Sequence, residues 1–275
     1  HRYSSAASDV YKRQIIKPIT MESVRPASTI MLARNSKDNI EILMVRRNTK
    51  SVFGNLYVFP GGKVDIDDRS EELYSLSRNL DDVDASRALG MQKDGLAYWV
   101  AGLRECFEEV GILLHDASQI IDHQLKVNQR TELNNGKTNF LDICKAQKLN
   151  LPTDSMIPIS HWITPEVEVK RFDTWFFLMH YQGDQQSNHD GIELTNSSWI
   201  NPQEALDACS SGKMNMIIPT IKNLEKLVPF KRVEDAIDFF KEKVSSIPSI
   251  LPKFEKQDGH WTVSYTHLTL PTNSG

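Results

Sequence analysis

Two early stretches, "ASTIMLAR" (Ala27 to Arg34) and "IEILMVRR" (Ile40 to Arg47), carry the apolar, β-favouring pattern of strands, and the polar "NSKDN" between them has turn composition. Together they predict a hairpin. "NLYVFPGGKVD" predicts a further strand running into a Pro-Gly-Gly turn. From residue 96 the period changes. Leu96, Trp99, Leu103, Cys106, Phe107 and Val110 recur at spacings of three and four, which predicts a helix ending near Gly111. Residues 67–95 between turn and helix are polar and acidic. They predict an inserted loop over 69–95, outside the sheet, with one short helix around Glu71 to Leu80.

"ISHWIT", "RFDTWFFLMHY" and "IELTNSSWI" are strand-like, and "NPQEALDACSSG" predicts a helix with Asn201 as its N-cap and Pro202 at its first position. Residues 219–245 predict two more helices, within a C-terminal helical extension over about 212–250. Strands and helices alternate irregularly, which indicates the α+β class with helices flanking a mixed sheet.

Composition narrows the class. Of 275 residues, 40% are hydrophobic and 25% charged, as in globular proteins. A formal net charge of −4 argues against a general nucleic-acid binder, and no apolar run approaches a membrane span. Cys106, Cys144 and Cys209 form neither a zinc pattern nor a disulfide framework, which suits a reducing, intracellular compartment. Two end segments read differently. "DVYKRQ" and "VSYTHL" can be written as one DNA word and its reverse complement, as a translated adapter would be. Residues 1–14 and 263–275 are therefore set aside, leaving a single domain over 15–262. Oligomeric state is not legible.

The helix at 96–111 carries a puzzle opposite its apolar stripe. Glu105, Glu108 and Glu109 occupy one turn, where their carboxylates can converge and hold a hard divalent cation. Arg104 stands four residues before Glu108 and can orient it. The competing reading is a solvated acidic face. His161, His180 and His189 lack the spacing of a metal set.

"GGKVDIDD" and "RECFEEVGI" together resemble the box of the Nudix hydrolases, G-x5-E-x7-R-E-U-x-E-E-x-G-U, where U is a bulky aliphatic residue. Gly62 matches the first glycine; Arg104, Glu105, Glu108, Glu109, Gly111 and Ile112 match the second half, with Cys106 at a U position. Asp68 stands where the box has its first glutamate. The unbroken pattern would put the arginine at 76, but it stands at 104, 28 residues further on. The resemblance implies an α/β/α sandwich and hydrolysis of a diphosphate with Mg2+ or Mn2+. It implies Glu105, Glu109 and Glu108 as metal ligands, with the carbonyl of Gly61, and Arg104 as a residue that orients a glutamate. Glu193, or else Asp190, would be the general base.

"ILMVRRNTKSVFGNLYVFPGGKVDIDD", "AGLRECFEEVGILL" and "HWITPEVEVKRFDTWFFL" resemble the long-insertion, often peroxisomal members of the coenzyme A and acyl-coenzyme A diphosphatase branch. The cytoplasm and the peroxisome both stay open. The branch implies coenzyme A esters as substrates, cleaved to 3′-phospho-AMP and a 4′-phosphopantetheine, with Arg46 and Arg47 meeting the ribose phosphate. An ordinary strand arginine is the competing reading. Other Nudix substrates (ADP-ribose, NADH, a sugar nucleotide) and a non-catalytic Nudix-fold binding module also stay open.

Overall fold

The computed structural model describes residues 24–37, 39–47, 55–116, 118–185, 194–257 and 260–268, the side chains of 194–195, 254–257 and 260–268 excepted. Strands β1 (Arg25–Ser36) and β2 (Asn39–Arg47) form the expected hairpin, with Ala33 opposite Ile42 and Ser36 opposite Asn39. The "VFPGG" segment gives two short strands, β3 (Tyr57–Val58) and β4 (Gly61–Lys63). β5 (Met156–Ile163), β6 (Phe172–His180), β7 (Leu194–Ile200), β8 (Ser249–Gln257) and β9 (His260–Leu268) complete one sheet. Its order is β3-β2-β1-β6-β5-β8-β9, with β4 also pairing β1 and β7 also pairing β2. β1 runs parallel to β6 and β5 parallel to β8, while the other pairs are antiparallel, so the sheet is mixed.

Strand alternation divides the core. Ile30, Leu32, Leu43, Val45 and Phe177 face one side. There they meet α1 (Glu71–Ser75), α2 (Asp82–Leu89), α3 (Leu96–Val110) and α5 (Phe140–Gln147), with α4 (His123–Asn134) beside α3. Met31, Ala33, Ile42, Met44 and Leu178 face the other side and meet α6 (Pro202–Ser210), α7 (Ile218–Leu227) and α8 (Val233–Lys241). The result is an α/β/α sandwich. Asn201 caps α6 by accepting from the N–H groups of Gln203 and Glu204, and Cys106, Cys144 and Cys209 are buried free thiols.

The inserted stretch differs from its predicted form. It folds as two helices, and Leu73, Ala85 and Leu89 enter the core at 2%, 0% and 4% exposure. Its polarity reflects a structural task, since Asp82 accepts from the N–H groups of Asp94 and Leu96 at 2.9 Å each and so holds the start of α3. Residues 263–268, set aside at sequence level, lie in β9 against β8. An exposed strand edge pairs through backbone groups and accepts any extended chain.

Candidate active site

Fifteen residues of helix and a left-handed glycine set the site's frame. α3 ends at Gly111, whose φ of 71° closes the helix as its N–H donates to Phe107 O at 3.0 Å. Arg130 on α4 seals the same end, its Nη2 donating to the carbonyls of Glu108 (3.0 Å) and Glu109 (2.9 Å). Only Glu105 and Glu108 behave as a partly open acidic edge. Glu109, expected on a solvent-facing surface, is 6% exposed, because β4 closes over it and the Gly61 N–H donates to Glu109 Oε2 at 2.9 Å.

The two halves of the split box meet through Asp68 and Arg104. Asp68 is 1% exposed. Its Oδ1 and Oδ2 accept from Arg104 Nε and Nη2 at 2.8 Å each, the bidentate geometry of the strongest ion pairs. Asp68 Oδ2 also accepts from the Asp65 N–H at 2.8 Å. The shorter acid thus receives Arg104 from within a single 3-10 turn (Asp67–Arg69) that brings it to the guanidinium. Arg104 Nη1 then reaches Glu105 Oε1 (2.9 Å) and Glu108 Oε2 (3.2 Å), and Nη2 reaches Lys63 O (2.8 Å). Burial disfavours the Arg104 cation, but its hydrogen bonds and attraction to Asp68, with help from Glu105 and Glu108, hold its pKa above the ordinary arginine value.

The acids carry the opposite strain. Burial, opposed by Arg104 and reinforced by neighbouring Glu108, pushes Glu105 up to about 7. Glu108 is raised as well, again chiefly by burial. With Glu109 and Asp65, these side chains line one wall of a cavity of about 590 Å³. Gly61 and Gly62 line the cavity directly beside these acids. A Cβ at Gly61 would lie 2.4 Å from the backbone Ser28 O, so that position requires glycine, and one at Gly62 would lie 2.4 Å from Glu105 Oε1 and push that carboxylate aside.

The carboxylates do not converge in the way their spacing allows. Among the described residues no three acids, histidines or cysteines stand as a ready ligand set. Arg104 Nη1 lies between Glu105 and Glu108, and Glu109 is turned to Gly61. The donor chemistry nevertheless fits a hard divalent ion. Oxygen donors are gathered, two of them are raised in pKa by burial, and a cation at the cavity wall relieves that accumulation.

Arg46 and Arg47 separate by strand parity. Arg47 lines the cavity on the α3 side of the sheet, with Nη2 3.9 Å from Glu109 Oε1 and a buried Nε that makes no hydrogen bond. Arg46 points to the other side and is not among the cavity's lining residues. Its Nε donates to Asn55 Oδ1 at 2.8 Å, and its guanidinium lies 6.0 Å from the Tyr57 ring. Glu193, Asp190 and His189 lie outside the described residues. His161 is buried away from the cavity, hydrogen-bonded to Ser249 Oγ (2.7 Å) and to Asp173, and stacked on Trp175. His180 is half-buried, 3.8 Å from Glu234. Asp65, Lys63 and Arg130 were not singled out by sequence. The first two flank the glycine turn, but Arg130 has no motif spacing to reveal it.

An acid-lined helix facing a glycine pair, with a buried arginine between its glutamates, on an α/β/α sandwich defines a Nudix hydrolase. A NUDIX hydrolase from Alicyclobacillus acidocaldarius superposes with a TM-score of 0.67 at 26% identity, over 80% of this chain and 97% of that one. Within that superfamily the chain belongs to the NUDT19 Nudix domain family, whose model matches residues 84–227. A Xenopus laevis protein named acyl-coenzyme A diphosphatase NUDT19 is 26% identical over 254 residues, covering 78% of this chain and 67% of that protein. A Caenorhabditis elegans protein named putative nudix hydrolase 7 is 28% identical over 218 residues, covering 76% and 62%. The chain spans about two thirds of the length of these relatives. Nudix hydrolases in general need divalent metal ions. No helix of the described residues is long and apolar enough to cross a membrane.

Proposed function

We propose that the protein hydrolyses the diphosphate of coenzyme A or its acyl esters, with Mg2+ or Mn2+, to 3′-phospho-AMP and an (acyl-)4′-phosphopantetheine. The observation that carries this reading is the cavity in which the three glutamates of α3, the Gly61–Gly62 turn and the Arg47 guanidinium share one lining. The name of the Xenopus relative supports the choice of substrate.

Glu105, Glu108, Glu109 and the Gly61 carbonyl would hold the metal. A divalent ion there would supply charge neutralisation for the phosphates and acidify a coordinated water. Arg104 holds the acids in register: its fork is fixed by Asp68, and its remaining Nη1 restrains Glu105 and Glu108. The Gly61 N–H positions Glu109. Arg47, whose side chain is 29% exposed at the same wall, would meet a phosphate oxygen with its guanidinium, where a charged hydrogen bond is stronger than in water. Arg46 keeps a structural part, tying β2 to Asn55. Glu193 is retained as the proposed general base.

Product analysis tests the proposal. Coenzyme A incubated with the protein and Mg2+ or Mn2+ should yield 3′-phospho-AMP and 4′-phosphopantetheine in equal amounts, and a chelator should stop the reaction. Release of adenine, of free phosphate alone, or of nothing would overturn it.

A further inference from the structure

The cavity is divided by charge. Its charged lining residues come from β2, β4 with the turn after it, and α3: Arg47, Lys63, Asp65, Arg104 and the three glutamates. Uncharged residues of β1, β3 and α4 also line it, and a further stretch of lining comes from β5, the loop after it, β6, β8 and the first turn of α7. Trp162, Ile163, Phe172, Phe176, Ile218 and Pro219 stand there, and none of the described lining residues from those segments is charged.

Sheet register connects the halves. Thr29 pairs with Gly61 on one side and with Phe176 on the other, while Ala27 links Lys63 to Thr174, which in turn faces Trp162. Neighbouring strands lie about 4.8 Å apart, so Phe176 is roughly 10 Å from the glycine turn and Trp162 about 14 Å. An apolar arm therefore begins two strand spacings from the glycine turn and runs outward over the sheet face that α7 covers.

We infer that this arm receives the acyl-pantetheine end of a coenzyme A thioester, with the acyl chain packed against its aromatic and aliphatic wall. The inference rests on the diphosphatase reading above and adds the direction in which the substrate lies. A nucleotide half brings phosphates, a ribose and a heterocycle edged with donors and acceptors. Among the described lining residues the side-chain polar groups the arm offers are the hydroxyls of Thr164, Thr174 and Thr220 and the indole N–H of Trp162. An alkyl chain needs none of them and gains by leaving water. The anionic half of the same molecule then lies toward Arg47 and Lys63.

The test is steady-state kinetics with Mg2+ on coenzyme A and its acetyl, hexanoyl and dodecanoyl esters, using the whole chain. KM should fall as the chain lengthens, with the hexanoyl ester roughly tenfold below the acetyl ester, since each buried methylene favours binding. Ile163→Asp and Phe172→Asp, both at half-buried positions, should each bring the acetyl and hexanoyl values to within about twofold. Cleavage of coenzyme A with a KM independent of chain length in the unsubstituted protein would overturn the inference and leave the diphosphatase reading standing. Failure to cleave any coenzyme A ester would overturn both. If either substitution instead weakens inhibition by adenosine 3′,5′-bisphosphate and leaves the chain-length preference intact, the arm holds the nucleotide half, which also overturns it.

Discussion

Asp68→Ala removes the acid that joins the two halves of the split box. The structure gives the cost. Asp68 is 1% exposed and Arg104's side chain 8% exposed, so the pair lies out of water, and both hydrogen bonds measure 2.8 Å. Taking one partner from a buried ion pair costs about 3–5 kcal/mol. Arg104 keeps Glu105, Glu108 and Lys63 O, so the loss should fall at the lower end, about 3 kcal/mol, or a Tm decrease of roughly 6–12 °C for a domain of this size. The freed guanidinium has a second effect. It can bind Glu105 and Glu108 more fully, so the metal concentration for half-maximal turnover should rise. Asp68→Glu, which restores the family's usual acid, adds one methylene to a filled site and should destabilise less than Asp68→Ala. Urea unfolding followed by fluorescence, together with Mg2+ titration of hydrolysis, measures both effects. An Asp68→Ala protein within about 0.5 kcal/mol of the unsubstituted one, with the same metal dependence, would refute the view that this acid holds the box together.

Glu109→Gln should lower turnover by orders of magnitude at saturating metal, with a stability loss of about 1 kcal/mol for the weakened bond from Gly61 N–H, read by Mn2+ titration and thermal melting. Near-normal turnover would remove Glu109 from the ligand set. Gly62→Ala should reduce kcat roughly a hundredfold, since its Cβ would force Glu105 from a position 2.4 Å away; unchanged kcat would show that Glu105's placement is not critical. Burial lowers Lys226 to about 8 from 10.5, so in that interval the unfolded chain binds more protons and this residue's contribution to stability rises with pH. Lys226→Met should therefore be more stable by about 2 kcal/mol at neutral pH, after the lost bond to Ile159 O, with the advantage shrinking as pH rises through that interval; equal pH profiles in chemical denaturation would contradict this.

The hairpin, α3, the capped α6 and the later helices were legible because each couples a clean period to a strong punctuating residue. The run from Leu96 to Val110 and its stop at Gly111 survive intact. The insertion was less legible. α2 has Asp81 accepting from Asp84 N–H and Gly90 in the left-handed conformation, both visible as capping signals, but its small apolar residues gave no stripe to read. α4 buries little beyond Gln129 and so shows no apolar stripe, whereas α5 does carry one, Phe140, Ile143 and Cys144, on a helix of eight residues; Asp122 and Asn139 cap the two. In the site, residue types pointed to the acid-rich turn and the glycine pair, which the structure brings together through the Gly61 N–H and Glu109. Exposure could not be read, because an amphipathic pattern assigns a glutamate to solvent and cannot foresee that β4 will cover Glu109 and supply an N–H. Nor could the sequence choose between Arg46 and Arg47. That choice depends on which parity of β2 faces α3, a fact fixed only when the sheet is assembled.

Parallel kcat/KM measurements on coenzyme A, dephospho-coenzyme A and ADP-ribose under saturating Mg2+ bear most directly on the proposed activity. Coenzyme A should be the best of the three. Loss of the 3′-phosphate should cost roughly ten- to a hundredfold, as expected for a charged hydrogen bond of about 1.5–3 kcal/mol. ADP-ribose as the best substrate, or equal values with and without the 3′-phosphate, would contradict the coenzyme A assignment.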